Sequence, residues 1–344
     1  MRALSRRVCR SLLSGLLVGV LSALPLSVRA DGFGAGGFGP FPVRNFQALN
    51  LLVLGMPGDR AAVLKQGTFD VRLELAETAN IARDETDQAI ARMKFETLRS
   101  ALFLRYGVAK RLEVAAEIPV VYRWHGFMEG AIIGVERATT GEAPARTALK
   151  DFGYVFDVRS GSRTLFSGNE GTLGLGDISL YGKYQMLLES PSRPAVSFRL
   201  GVKLPTGNVG RVFGSGHPDV GIGLAVEKTV ASRFVLYGNL NGVFPTGSIA
   251  GLPLQPVVSG LAAVEFLWTD WFSLTAHFDY YSSPYHGTGT QVLDKGVTEA
   301  VFGFNCRITR NFLWQVYGVE NLDFIRGSAA DVTLATLVTY RFGS

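Results

Sequence analysis

Two His–Asp pairs have the spacing that proton transfer or metal binding would need. The pairs are His217 with Asp219 and His277 with Asp279. Residues two apart on a β-strand lie on the same face, so each imidazole could meet its carboxylate. Such a pair can act as acid and base or ligate a metal. A polar pair inside the fold and a loop turn are the simpler interpretations, and we assign no catalytic, metal-binding or cofactor-binding residue.

Two known hydrolase arrangements that use a two-residue spacing are not matched. Lipid hydrolysis of that kind uses a Ser two residues after a His, and here those positions hold Phe127, Asp219, Asp279 and Thr288. Peptide hydrolysis uses an Asp two residues before a His, and here the order is reversed. The Gly-rich stretches GTLGLGD (171–177) and GRVFGSGHPD (210–219) lack the spacing of a dinucleotide or phosphate loop. They are interpreted as surface loops.

The elements that must position these residues are strands. About twelve segments place an apolar residue at every second position with polar residues between, which is typical of a β-strand with one apolar face. They are 69–75, 98–106, 112–120, 178–186, 196–204, 220–226, 234–240, 258–268, 272–280, 300–306, 312–316 and 331–342. Most are near the roughly 10 residues that a tilted membrane strand requires.

The connections between these segments alternate between short and long. Tight turns are predicted at 109–110, 189–194, 229–233, 269–270 and 309–311, and long loops at 78–93, 124–174, 206–218, 245–256, 283–296 and 321–330. The pattern predicts an all-β fold, a transmembrane antiparallel up-and-down barrel with short periplasmic turns and long extracellular loops. The last strand should close the barrel against Phe69–Leu75, with Tyr340 and Phe342 at the periplasmic girdle.

The chain is predicted to have three parts: a signal peptide over 1–30, an N-terminal segment over 31–67 and the barrel over 68–342. The signal combines a basic start, an apolar stretch and small residues before a cleavage site near Ala30. Five of the 34 Lys and Arg residues lie in it, so the mature chain would carry 29 basic and 29 acidic residues. This balance gives no reason to expect a nucleic-acid partner. The 31–67 segment is expected to associate with the lumen.

Charged residues between the apolar ones are expected to line that lumen. The lumen-facing set comprises Arg72, Arg99, Arg105, Lys183, Arg199, Lys203, Glu227, Glu265, His277, Asp279, Glu299 and Arg307, and it extends to Glu74, Glu113, Glu117, Asp177 and Asp219. Most of these residues should pair with one another. Their function would then be collective, because a polar lumen determines what can pass or lodge.

Several stretches resemble a known family. They are PVRNFQALNLLVLGMPGDRAAVL, LFLRYGVAKRLEVAAEIPVV, GLGDISLYGKYQM, FRLGVKLPTGN and GSGHPDVGIGLAVEK. Together they resemble a proteobacterial outer-membrane β-barrel family catalogued as a domain of unknown function. More distantly, the chain is similar to the outer-membrane proteins linked to meta-pathway phenol degradation, which share segments of the KLPTG and GDI type. The resemblance implies an outer-membrane channel or transporter-like protein and brings no site residues with it.

The function expected from the sequence is therefore a passive, porin-like channel for small molecules in the bacterial outer membrane. Its expected partners are outer-membrane lipid, the barrel-assembly machinery during biogenesis and a small-molecule substrate, with no cofactor. Two alternatives stay open. One is a surface enzyme that hydrolyses lipid or peptide, and the other is a structural barrel whose lumen is filled.

Overall fold

The computed structural model describes residues 33, 36–139, 141–322 and 330–343. The strands, in chain order, are β1 (Phe69–Glu85), β2 (Ala89–Ala109), β3 (Leu112–Trp124), β4 (Val155–Ser160), β5 (Arg163–Ser167), β6 (Thr172–Leu175), β7 (Ile178–Leu187), β8 (Ala195–Leu204), β9 (Asp219–Val230), β10 (Phe234–Pro245), β11 (Ser248–Ile249), β12 (Leu252–Pro253), β13 (Val257–Leu267), β14 (Phe272–Tyr281), β15 (Val297–Arg307), β16 (Phe312–Asn321) and β17 (Val332–Phe342). The signal peptide predicted over 1–30 lies outside the described residues.

Twelve of these strands form a closed antiparallel barrel, and their order around the wall follows the chain. The wall strands are β1, β2, β3, β7, β8, β9, β10, β13, β14, β15, β16 and β17. The barrel closes between β1 and β17, whose register runs from Phe69 opposite Phe342 to Ala79 opposite Val332. The predicted barrel of about twelve strands and its predicted closing strand are confirmed. Closure leaves neither terminal strand as an open edge.

Connections at one end of the wall are mostly short, and those at the other end are mostly long. We call these the turn end and the loop end. The described residues of the long loops contain three short α-helices, α1 (Glu129–Thr139), α2 (Pro144–Ala148) and α3 (Gln291–Asp294). Single 3₁₀ turns occur at Asn50–Leu52, before β1, and at Val209–Arg211. Among the described residues, no helix has the length and apolar character needed to cross a membrane.

The outer surface of the wall is an apolar belt. Alternate residues of the strands point outward, and large apolar side chains there are widely exposed, including Phe302 at 64%, Leu240 at 60% and Phe278 at 56%. The intervening residues point inward and are mostly polar and buried. A water-soluble sheet would hide such a belt, whereas a bilayer requires it. The apolar face of the strands predicted from the sequence therefore points outward.

Replacing Phe302 by Arg is expected to destabilise the barrel by about 2–4 kcal/mol, because the residue lies at the middle of β15 on the apolar face. The measurement is a denaturant titration of the barrel in lipid vesicles, which gives the free energy of unfolding. Phe302→Leu is the matched control and should stay close to the wild type. Equal stability of the Arg and Leu variants would contradict a membrane-facing position.

The prediction of a long loop over 78–93 is wrong. β1 and β2 instead continue as a paired hairpin from Ala79 opposite Glu96 to Glu85 opposite Ile90, joined by a tight turn. Both faces of this extension are covered, the inner face by loops and the outer face by the segment that carries α1 and α2. A strand buried on both faces loses the one-sided alternation that marks a strand in the sequence.

Candidate functional site: a plugged lumen

The barrel interior is occupied by residues 36–67, which we call the plug. The plug enters at the turn end, where the preceding Phe33 N–H donates to Arg310 O at 2.8 Å. It rises to the loop end, where Tyr285 Oη donates to Leu49 O at 2.8 Å. It then descends, and Gly67 N–H donates to the carbonyl of Gly107 at the turn end, again at 2.8 Å. The segment is thus a hairpin that runs the length of the lumen and returns to begin β1.

The structure places all twelve residues of the lumen-facing set in the interior. Arg99, Lys183, Arg199, Lys203, Glu227, Glu265, His277, Asp279 and Glu299 are buried. Arg72, Arg105 and Arg307 are partly buried and make inward contacts, with Thr339, Glu113 and the Phe33 carbonyl respectively. The plug contributes charges that the sequence analysis did not single out, namely Arg44, Asp59 and Arg60. A signal for them was present in the sequence, since few charged residues interrupt this Gly-rich and apolar stretch.

The first ionic cluster is centred on Glu117, on the β3 wall. Arg44 Nη2 of the plug lies 2.9 Å from its carboxylate, and Arg99 of the wall also contacts it. Tyr181 Oη donates to the same carboxylate at 2.9 Å. Arg99 is shared with Glu74 at 2.6 Å. One plug cation therefore completes a buried wall network, and removal of a partner from such a network leaves an uncompensated charge.

The second ionic cluster is centred on Asp59 in the descending limb of the plug. Its carboxylate lies 2.8 Å from Lys183 Nζ and 3.4 Å from Arg105 Nη2. Both cations also approach Glu113, at 3.5 and 2.6 Å respectively. The adjacent Arg60 pairs with Glu227. The descending limb is thus held on two sides of the lumen by opposite charges.

A third cluster holds the turn of the plug near the loop end. Lys203 Nζ lies 2.9 Å from Asp219 and 3.1 Å from Asp177, and it also donates to the Leu52 carbonyl. Asp219 in turn accepts the Leu54 N–H at 2.8 Å. A wall lysine and a wall carboxylate therefore form hydrogen bonds with the plug backbone.

The rising limb is held by Glu265 and His277. Glu265 accepts the Phe38 N–H at 3.1 Å and the Tyr237 hydroxyl at 2.6 Å. His277 Nε2 accepts the Phe41 N–H at 3.0 Å. That bond occupies Nε2, and His277 Nδ1 is 3.6 Å from Asp279. His277 therefore holds the plug backbone, and with Asp279 it forms a buried polar pair in the lumen.

The other His–Asp pair is not a unit, because Asp219 contacts Lys203 and the plug. His217 lies in the loop before β9 and donates its backbone N–H to Ser215 at 3.2 Å. Among the described residues, no group of three or more His, Cys, Asp or Glu side chains is arranged to hold a metal ion.

An apolar cluster covers the lumen at the loop end. It joins the plug tip to the β1–β2 extension and to the long loops, and it comprises Ala48, Leu49, Leu52, Ala82, Ala91, Met93, Phe95, Phe156, Val158, Leu165, Phe166, Val212, Ile249, Tyr285, Val292 and Leu293. Beneath it lies a cavity of about 70 Å³, bordered by Arg44, Lys203 and Arg123 among others. The middle of the lumen is polar, and its outer mouth is sealed by an apolar lid.

Residues 125–139 and 141–150 of the long loop lie on the outer face of the β1–β2 extension, where Glu129 pairs with Lys94 and the Phe127 N–H donates to Glu96. Arg146 of α2 is buried and pairs with Asp331 at 2.5 Å and with Glu136 at 3.2 Å. Burial by itself lowers the pKa of the Arg146 guanidinium, but the two carboxylates more than offset burial and raise that pKa. The pair anchors this part of the loop beside β17.

Solved structures of similar shape are outer-membrane channels. An outer-membrane channel from Pseudomonas putida F1 matches with a TM-score of 0.54 and 15% identity, covering 83% of this chain and 99% of that one. The NanC porin gives 0.46 at 9% identity, covering 79% and 98%. The toluene transporter TodX of Pseudomonas putida gives 0.40 at 8% identity, covering 88% and 99%. The first of these shares the barrel fold with this chain, and the other two are too distant to support an argument.

Sequence comparisons give a family but no characterised relative. No curated protein matches the chain. A family match extends from residue 16 to residue 342, across the plug and the whole barrel. This match confirms the resemblance to a family without an assigned function. The chain belongs to the family described as "Protein of unknown function (DUF3187)".

Proposed function

We propose that the protein is a passive outer-membrane channel for small molecules, and that the plug is its gate. The observation that carries the proposal is the kind of contact that holds the plug. In the middle of the lumen these contacts are ion pairs and hydrogen bonds, such as Arg44 with Glu117 and Asp59 with Lys183. Water can replace such partners when the plug leaves, whereas a well-packed apolar core offers no such exchange.

The proposed orientation puts the turn end in the periplasm and the loop end outside the cell. In this orientation the plug enters and leaves the barrel from the periplasm. The signal would be removed near Ala30, so that the mature chain begins at Asp31. Amino-terminal sequencing of the protein from outer-membrane fractions tests the cleavage site. A start beyond residue 36 would contradict the proposal, because the plug would then be incomplete.

Locking the plug to the wall is expected to abolish ion conduction. Ala61 of the plug packs in one buried cluster with Ala195 and Ala225 of the wall. Cysteines at Ala61 and Ala225 can therefore form a disulfide that locks the plug to the wall. Single-channel current in planar bilayers should show openings for the reduced Ala61→Cys/Ala225→Cys protein. These openings should disappear when it is oxidised. Ala61→Cys alone is the matched control, and its current should not respond to oxidation.

Two outcomes would oppose the proposal in different ways. Openings that persist in the oxidised double variant, with the cross-link verified by mass spectrometry, would show that the plug is not the gate. Absence of any opening in the wild type across a wide range of voltage and pH would favour a structural barrel with a filled lumen. The apolar cluster at the loop end is the observation that favours this second candidate.

A further inference from the structure

A polar groove opens at the loop end, beside the lid and separate from the cavity below it. Its volume is about 650 Å³. That is large enough for a small organic molecule, since ligand sites are commonly about 300–1,000 Å³. Its polar side chains include those of Arg123, Arg159, Arg211, Ser167, Asn169 and Thr172. Ser167, Asn169, Arg159 and Arg211 are exposed, so the groove faces solvent outside the barrel.

Arg123 forms the floor of this groove. It is the last inward-facing residue of β3, and only 2% of its surface is exposed. Its guanidinium lies 4.4 Å from the centre of the Phe213 ring and 5.4 Å from that of Phe156. It donates to the carbonyls of Arg211 and Val212. Both rings are within cation–π distance of the guanidinium, and the two carbonyls use only two of its five N–H groups.

The hydrogen-bonding capacity of Arg123 is incompletely used. Within the described part of the chain, its Nε has no hydrogen-bond partner, and no carboxylate lies within ion-pair distance of its guanidinium. Arg44 and Arg99, by contrast, each contact a carboxylate. A buried cation held only by carbonyls and rings is poorly compensated. An anion that reached its free edge would supply the missing charge.

The other charged residues that border the groove also favour the binding of an anion. Asp157 is the acidic residue that borders it, and its carboxylate is already paired with Arg159 at 2.7 Å. Arg211 is exposed, and no carboxylate of the described residues forms an ion pair with it, so it adds a second positive charge. The groove therefore carries a net positive charge. The planar fork of an arginine matches two oxygens of a carboxylate or a phosphate in parallel hydrogen bonds, and the uncharged Ser167, Asn169 and Thr172 beside it can bond the remainder of an organic carboxylate.

Arg123 also borders the cavity beneath the lid, so it separates the groove from the lumen. Its carbonyl partner Val212 belongs to the apolar lid and adopts φ 57°. This left-handed conformation is strained for a β-branched residue. An anion that draws the guanidinium toward the groove would compete with the bonds that hold this strained residue.

We propose that the groove binds the carboxylate group of a small soluble organic anion at Arg123 and selects the solutes that enter from outside. The entry role rests on the proposed channel function, whereas the binding site does not. The occupant is a carboxylate in solution rather than an anionic lipid headgroup. The groove lies at the loop end, and its floor residue Arg123 is on the inward-facing side of β3.

Equilibrium binding to the full chain in detergent tests the site. The probes for isothermal titration are D-glucuronate, D-glucose as an uncharged molecule of similar size, and inorganic phosphate. Glucuronate is expected to bind and glucose is not. Arg123→Gln should weaken glucuronate binding about tenfold or more, as expected for the loss of a charged hydrogen-bonding partner. Arg211→Gln should weaken it less.

Arg233→Gln is the matched control, because Arg233 is exposed in a turn at the opposite end of the barrel. Heat-modifiable migration on a gel verifies that each variant is folded. If Arg123→Gln does not fold, the glucuronate affinity of the exposed Arg211→Gln variant tests the site. The site is overturned by equal binding of glucose, by phosphate binding as tightly as glucuronate, or by unchanged affinity in the folded groove variants. Anionic lipid vesicles that compete with glucuronate would overturn the soluble occupant.

Conductance separates this inference from the channel proposal. Glucuronate binding without any channel opening would leave the groove standing and remove its role in entry. Openings without glucuronate binding would uphold the channel and overturn the groove. If both hold, glucuronate should reduce or modulate the wild-type current, and Arg123→Gln should abolish that effect.

Discussion

Deleting residues 40–59 and bridging the gap with two glycines is expected to convert the closed barrel into a steadily conducting pore. The two limbs of the plug lie side by side at this point. A Cβ added to Gly39 would stand 2.7 Å from Arg60 Cγ, and Arg60 Nη2 donates to Gly36 O at 2.8 Å. A short bridge can therefore join them without disturbing β1. The deletion removes the plug tip from the apolar lid as well as the charges of Arg44 and Asp59.

The physical reason for this large effect is that the wall does not depend on the plug for its backbone pairing. Every wall strand is hydrogen-bonded to two neighbouring wall strands. The lumen side chains left behind are polar and can be hydrated. The measurement is single-channel conductance in planar bilayers, with heat-modifiable migration to show that the barrel has folded.

A comparable deletion outside the lumen is the control. Residues 131–139 and 141–142, on and beside α1, lie on the outer side of the β1–β2 extension. The stretch 131–142 can be replaced by two glycines. This variant should gate as the wild type does. A folded plug-deletion barrel that remains closed would show that the loop-end lid alone seals the lumen, which would contradict the gating role of the plug.

Replacing Glu117 by Gln is expected to lower the free energy of unfolding by about 3–5 kcal/mol. Glu117 is 1% exposed and receives hydrogen bonds from Arg44, Arg99 and Tyr181. The amide keeps the shape of the side chain but removes the charge that compensates two buried guanidinium groups. The measurement is denaturant-induced unfolding in vesicles, followed by tryptophan fluorescence.

Two controls make this result specific. Glu189→Gln removes one partner of an exposed pair with Lys228 at 3.4 Å, and it should change the free energy by about 1 kcal/mol or less. In the background of the plug deletion, Glu117→Gln should cost less than in the full chain, because Arg44 is then absent. An equal cost in both backgrounds would contradict an ionic contact between the plug and the wall.

Several features of the protein could be predicted from individual strands. Val196, Phe198 and Leu200 alternate with inward residues, and the same period recurs along the chain. Because side chains alternate across a strand, this period determines which face meets lipid and which faces the lumen. The lumen positions of Arg99 and Lys203 depend on that local period alone.

The plug was a weaker inference, because the sequence of residues 31–67 has no period of its own. Its placement depends on contacts between residues far apart in the chain, such as Phe38 with Glu265, which are separated by 227 positions. No local pattern encodes such a contact. The extension of β1 and β2 through 78–93 was not predicted from the sequence, for a related reason. Its two faces are covered by segments that only the tertiary structure brings there.

The sequence by itself determined the wall of this protein: the strands, their inward and outward faces, and the closure of the last strand on the first. These follow from a period of two residues and from the cost of an open or lipid-exposed polar edge. Only the tertiary structure decided which charges pair, where the plug lies, and that Arg123 sits between the outer groove and the lumen. Those depend on which side chains meet across the barrel, and charge partners there are chosen by three-dimensional proximity rather than by spacing along the chain.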